Sequence, residues 1–161
     1  MLSYDAIQAF LYQEARAQAE KRWSDWLACY ADDVNYYMPC WDDDDKITSD
    51  PHNEVSLLYY PSKQGLEDRV FRIETERASS STPDTRYNRS ISNVEVLAQD
   101  ETSVDLCFNW TTHSFRYDVV DVYFGTARYT LDTSGTKPLI KRKYMVLKND
   151  YIHHVIDIYH I

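Results

Sequence analysis

The residues of this chain that could do chemistry are few and poorly spaced for it. There are five histidines: His52, His113, His153, His154 and His160. A mononuclear iron site needs two imidazoles and a carboxylate converging on one point. His153 and His154 are adjacent, so on the strand expected there they face opposite ways. His154 with Asp157 is the best local pair, and no clear third ligand accompanies it. The three cysteines, Cys29, Cys40 and Cys107, are scattered and odd in number. They read as reduced thiols in or near a core rather than as a disulfide framework. Cys29 and Cys40 are too far apart for a zinc knuckle and have no partner motif. No native metal site is expected.

Acid–base chemistry fares little better. A hollow α+β domain could recruit Asp33, Tyr36, His113 or Asp121, but no acid–base pair stands at diagnostic spacing. There is no Gly-x-Ser-x-Gly elbow, no phosphate-cradling glycine loop and no dinucleotide fingerprint. A Rieske cluster takes two Cys-x-His-like ligand pairs, and the chain has none. No residue is therefore assigned as catalytic, cofactor-binding or metal-binding. The sharpest charge feature is the run Asp42, Asp43, Asp44 and Asp45, directly after Trp41. A solvated loop explains it better than a cation site. An interface role lies between the two, because Trp41 is an anchor-type residue in an acidic neighbourhood.

The elements that would position these residues follow from hydrophobic spacing. Ser3 can cap a first helix in which Asp5 complements the dipole and Ile7, Phe10, Leu11 and Glu14 share one face. A short helix from about Ser24 gathers Trp23, Trp26, Leu27 and Tyr30, and Asp32-Asp33 is expected to end it. Val34, Tyr36 and Met38 alternate along a strand stopped by Pro39. Trp41 to Pro51 reads as an acidic loop, Pro61 to Gly65 as a turn, and Leu66 to Ala78 as a third helix. Ser79 to Pro83 reads as a linker. The pattern then turns to β: Ile91, Asn93, Glu95 and Leu97 alternating with Ser92, Val94 and Val96, the stripe Val104, Leu106, Phe108 and Trp110, then Val119 to Leu131, Ile140 to Leu147 and Val155 to Tyr159. Helices followed by long strands imply an α+β fold, with a twisted antiparallel sheet wrapped around N-terminal helices as a cone.

The bulk figures set limits. At 161 residues the chain is expected to form one domain, residues 1–161. A net charge of −9 argues against nucleic acid or an anionic membrane as the main partner. No basic-plus-apolar leader or membrane-length apolar run is visible, so the expected location is cytoplasmic. Aromatic content of 14%, with 14 Tyr and 4 Trp, suits pocket walls and protein interfaces as well as strands.

Several stretches resemble a known family. Trp23-Ser-Asp-Trp-Leu-Ala-Cys-Tyr-Ala-Asp-Asp-Val34 with Tyr36-Tyr-Met-Pro39 looks like the opening of cystatin-like, NTF2-like domains. More specific are Asp50-Pro-His-Asn-Glu-Val-Ser-Leu-Leu-Tyr-Tyr-Pro61 and Gly65-Leu-Glu-Asp-Arg-Val-Phe-Arg-Ile73. With Ile91-Ser-Asn-Val94, Leu147-Lys-Asn-Asp-Tyr-Ile152 and Ile156-Asp-Ile-Tyr-His-Ile161, these resemble the small (β) subunits of the benzoate, toluate and anthranilate 1,2-dioxygenases. The resemblance implies an NTF2-like cone with N-terminal helices packed in a strongly curved antiparallel sheet. It implies a non-catalytic subunit of a Rieske non-haem iron oxygenase that converts a monocyclic aromatic carboxylate to a cis-diol. The partner large (α) subunit would carry the Rieske 2Fe–2S cluster and mononuclear Fe(II), in an α3β3 hetero-hexamer fed with electrons from NADH by a reductase. The rival readings are a stand-alone NTF2-like pocket enzyme, an isomerase or dehydratase, and a ligand-binding module, since one scaffold hosts many functions.

Overall fold

The computed structural model describes residues 1–79 and 84–161; beyond Ser79, the expected linker lies outside the described residues. Helix α1 spans Tyr4–Ala19, and the Ser3 hydroxyl accepts the Ala6 amide at 3.2 Å. This satisfies one of the amide donors left free at a helix start. Ile7, Phe10, Leu11 and Glu14 are all buried along its inner stripe. Helix α2 spans Trp23–Leu27 and strand β1 Tyr30–Pro39. Asp32 and Asp33, expected to end α2, instead lie inside β1 as exposed residues, while Val34, Tyr36 and Met38 have no exposure. Pro39 closes the strand, as its missing amide requires.

Strand β2 (Ser56–Tyr60) pairs back on β1, and helix α3 (Lys63–Ser79) starts before the expected Leu66. Leu66 and Val70 from α3 enter the core, with Ile73 packed beside them. Then come β3 (Arg86–Gln99), β4 (Ser103–Arg116), β5 (Val119–Asp132) and β6 (Leu139–Leu147). The sheet order is β2-β1-β6-β5-β4-β3. The expected cone of helices held in a curved sheet stands, with one refinement. β1 and β6 run parallel, so the sheet is mixed rather than wholly antiparallel. A parallel pair needs a long crossover, and the chain between β1 and β6 provides one.

Two local expectations give way to side-chain and backbone chemistry. Ile91, Asn93, Glu95 and Leu97 do not share a face, because the β3 register shifts between Ser92 and Glu95 and Asn93 takes φ of 54°. This bulge moves the inward set from Ile91 to Val94 and Val96, which pack on the core while Leu97 is exposed. Val155 to Tyr159 is not a strand. It ends in a 3-10 turn, Ile158–His160, capped by the Asp157 carboxylate, which accepts the Ile158 amide, while His160 Nδ1 accepts the Asp157 amide. Local side-chain bonds of this kind compete with a strand ladder. Ile156, Ile158 and Ile161 still bury their side chains in the core.

The β4 stripe Val104, Leu106, Phe108 and Trp110 is buried as its alternation predicts. Helix α1 packs on β3, and α3 packs on β1 and β2. Among the described residues the helices cover the inner, concave face of the sheet and leave its outer face open.

Candidate functional site

The hollow of such a cone could hold an acid and a base around a substrate. Here it is filled by an ion network. Glu14, on the inner stripe of α1, accepts hydrogen bonds at Oε1 from Trp26 Nε1 (2.9 Å), Tyr30 Oη (2.7 Å) and Lys143 Nζ (3.3 Å). Its Oε2 meets Arg89 Nη2 of β3. Lys143, facing inward from β6, also donates to Tyr30 Oη at 3.1 Å and to the Ile161 main-chain oxygen at 3.4 Å. The same ammonium lies 4.8 Å from the Tyr36 ring centroid and 5.4 Å from that of Tyr129. Gln18 Nε2 holds the Ile158 and Ile161 carbonyls at 2.5 and 2.6 Å, tying the last turn of the chain to α1.

One carboxylate thus faces two cations where no water reaches. Burial alone would push the Glu14 carboxyl up. Arg89, Lys143 and the donors Tyr30 and Trp26 outweigh it and hold the group down to about 2. Lys143 cannot be compensated as fully: burial, with Arg89 nearby, brings it down to about 7 against the opposing pull of Glu14. Burial raises the Tyr30, Tyr36 and Tyr129 hydroxyls well above their ordinary range. The network therefore holds a neutral-range amine and an ionised acid, but both are sealed. A cleft of about 260 Å³ opens at the rim between Lys21, Trp23, Tyr87, Arg116 and Tyr159, and neither Glu14, Arg89 nor Lys143 lines it.

None of the residues singled out for acid–base work meets another there. Asp33 lies on the surface, 3.3 Å from Lys141. Tyr36 is inside the core, His113 points outward from β4, and Asp121 approaches His154 at 3.7 Å. The pair His154 and Asp157 is not formed. Asp157 instead takes Arg69, whose Nε lies 3.0 Å from both carboxylate oxygens. His160 is buried and brought down to about 4 mainly by that burial. Cys29 is a buried thiol pushed up to about 12, again mainly by burial. Among the described residues, no three or more His, Cys, Asp or Glu side chains gather where they could hold a metal ion. The described residues thus do not supply the ligand set of a Rieske cluster or a mononuclear iron.

The Trp41 loop is more ordered than a solvated run of charge. Trp41 and Ile47 form an antiparallel bridge, and the Asp42 amide donates to the Lys46 carbonyl at 2.7 Å. Asp42 Oδ1 accepts the amides of Asp44 (2.9 Å) and Lys46 (2.8 Å), and Asp45 adopts φ of 57°. This tight turn leaves the side chains of Asp43 and Asp44 outside. Trp41 Nε1 donates to the Leu147 carbonyl at 2.7 Å, yet the residue remains 47% exposed. The indole is fixed by its own domain while an apolar face stays uncovered.

Sequence reasoning missed the Glu14, Arg89 and Lys143 network. The available signal was Glu14 itself, a charge in register with Ile7, Phe10 and Leu11.

Comparison with known proteins agrees with this picture. Residues 13–154 match the family model for the ring hydroxylating beta subunit. The chain is 54% identical over 160 residues to the benzoate 1,2-dioxygenase subunit beta of Acinetobacter baylyi, covering 99% of this chain and 95% of that one. It is 52% identical to the toluate 1,2-dioxygenase subunit beta of Pseudomonas putida, covering 99% of both. The crystal structure of the benzoate 1,2-dioxygenase beta subunit from Burkholderia mallei superposes with a TM-score of 0.88 at 50% identity, covering 100% of this chain and 99% of the other. A scytalone dehydratase-like protein of Novosphingobium aromaticivorans, at 13% identity and a TM-score of 0.65, shares the fold alone. With a family model spanning most of its length and relatives above half identity end to end, this chain belongs to the ring-hydroxylating dioxygenase β-subunit family.

Proposed function

We propose that the chain is a single NTF2-like domain serving as the non-catalytic small subunit of a Rieske non-haem iron oxygenase for a monocyclic aromatic carboxylate of the benzoate type. The observation that carries this is its likeness to benzoate and toluate dioxygenase beta subunits over nearly the full length of each. The sealed interior supports it, since a buried ion network leaves no place for a substrate to meet an acid and a base. The large subunit supplies the Rieske cluster and the mononuclear iron, the two subunits assemble as α3β3 in the cytoplasm, and a reductase delivers electrons from NADH. No helix of the described residues is long and apolar enough to cross a membrane. Trp41 with Asp42, Asp43, Asp44 and Asp45 lies at the boundary with the large subunit.

The test is a product assay. This chain alone, with NADH, oxygen and benzoate, yields no diol; with its large subunit and reductase the mixture yields the cis-diol of the ring. Turnover by the chain alone, or none by the reconstituted mixture on any benzoate-type acid, refutes the reading.

A further inference from the structure

The outer side of the β4–β5 tip carries a row of apolar side chains that nothing among the described residues covers. Along β5, Tyr123 turns inward and is buried, whereas Val120, Val122 and Phe124 turn outward and are 60%, 43% and 44% exposed. Across the ladder, Phe115 stands opposite Val120, and it too is exposed. Burying β-branched and aromatic side chains is favourable, so a contiguous row left in water marks a contact surface more often than an accident of sequence.

The row is built to stay flat and fixed. Strand β6 ends at Leu147, opposite Gly125, so among the described residues the first stretch of β5, Val119 to Phe124, has no strand on that edge. Lys148 and Asn149 replace it. The Lys148 amide donates to the Phe124 carbonyl at 2.8 Å. Asn149 Oδ1 accepts the Phe124 amide at 3.0 Å and its Nδ2 donates to the Val122 carbonyl at 2.7 Å. One amide side chain, donor and acceptor together, thus fills the place of a strand's backbone. The edge cannot pair with a foreign strand there, so the side-chain surface is what remains for recognition. Trp41 lies one strand beyond this row: its indole binds the Leu147 carbonyl on one side of the peptide unit whose Lys148 amide binds Phe124 on the other.

We infer that the outer face of the β4–β5 tip, centred on Val120, Val122 and Phe124 and running on to Trp41, is the apolar centre of the contact with the large subunit. The inference rests on the small-subunit reading and adds the surface to it. Charge selects this occupant over a second copy. The Trp41 end is bordered by Asp42 to Asp45, with Lys46 and Lys148 as the neighbouring cations. A second copy, itself at −9, would bring mostly further carboxylates to that border. A chain presenting an apolar patch beside Lys or Arg would neutralise it and form the polar rim that surrounds a dry interface centre.

The test uses the full chain co-expressed with its large subunit. Val122→Asp and Phe124→Asp place a charge on side chains that already face water, so the isolated subunit keeps its melting temperature and circular dichroism. The fraction of native-mass complex falls about tenfold or more, the loss expected when a charge enters a desolvated contact centre. Should either variant fold poorly, the milder Val120→Thr/Val122→Thr double variant carries the test with the same expected direction. Wild-type levels of complex in these variants overturn the inference while leaving the small-subunit reading intact. So does retained binding to the large subunit with loss of self-association, which would make a second copy the occupant. Failure of the unaltered chain to assemble with the large subunit at all overturns both.

Discussion

Glu14→Gln and Lys143→Met should change stability in opposite senses, although both remove a charge from the same buried network. Glu14 is the one carboxylate within ion-pair distance of Arg89 and Lys143 among the described residues. Neutralising it leaves the Arg89 guanidinium in the core with no counter-charge, a change that costs about 3–5 kcal/mol when a buried pair loses one partner. For a domain of this size that is a drop in melting temperature of roughly 6–20 °C. Lys143→Met instead leaves a balanced Glu14–Arg89 pair, and the Ile161 carbonyl keeps Gln18 as its donor. Filling the space with an apolar side chain of similar volume is expected to be neutral or to stabilise by about 1–4 kcal/mol. The pH dependence separates the two further. The folded state brings Lys143 from its ordinary 10.5 down to about 7. Between those values the unfolded chain holds the proton and the folded chain does not, so stability rises with pH across this window. The slope is at most about 1.4 kcal/mol per pH unit. Lys143→Met removes that contribution. Urea unfolding of the isolated subunit at pH 7, 8 and 9, followed by the fluorescence of the buried Trp23 and Trp26, measures it. Wild-type and Lys143→Met stabilities that run parallel across this range would refute the reasoning, as would equal losses from the two substitutions.

Three other outcomes are expected. Gly125→Ala should lose about 3 kcal/mol and fall in melting temperature, because a Cβ there would lie 1.7 Å from the Val146 carbonyl oxygen on the paired strand. Asp157→Asn should lose about 2 kcal/mol from the charged bonds to Arg69 and loosen the last turn, seen as faster amide exchange at Ile158 to His160. Asp43→Asn with Asp44→Asn should weaken assembly with the large subunit at low salt and matter less at high salt, where charges are screened. Trp41→Ala should weaken assembly at both; unchanged complex at every salt concentration removes this loop from the interface.

The fold was legible wherever burial followed a simple period. Ser3 with Ile7, Phe10 and Leu11 specifies α1, and Val104 to Trp110 specifies β4, because in each the chain's geometry repeats with its hydrophobicity. It was illegible where one residue breaks the repeat. Asn93 is a residue type that tolerates positive φ, and by taking it inverts the faces of β3 downstream. Asp32 and Asp33 look like helix terminators but occupy the exposed part of a strand. Val155, Ile156 and Ile158 look like a strand, yet Asp157 between them prefers to cap a turn and bind Arg69. The ion network was the hardest to foresee, since Arg89 and Lys143 lie in strands where charged residues ordinarily face water. Only their register in the sheet turns them toward Glu14. Trp41 stood out by its type and its acidic neighbours, but the bond to Leu147 that fixes it while it stays exposed was not legible.

The inside and the outside of this domain divide two tasks that a pocket enzyme on the same scaffold must combine. A catalytic cone has to leave its polar groups incompletely paired so that a substrate can complete them. Here Glu14 is engaged by Trp26, Tyr30, Lys143 and Arg89, and although Arg89 Nε and Nη1 and the Tyr36 hydroxyl are buried without a hydrogen-bond partner, all of them are sealed from solvent and none is offered to a ligand. A further demand lies on the surface, in apolar side chains that remain in water and in carboxylates crowded on one turn. Both gain by contact with an apolar, basic partner. Substitutions inside should therefore move the melting temperature of the isolated chain, and substitutions of the exposed side chains Val122, Phe124, Asp43 and Asp44 should move assembly with little change in melting temperature. Such a separation is what a subunit that contributes shape rather than chemistry requires, because its core can be sealed completely only if nothing has to enter it.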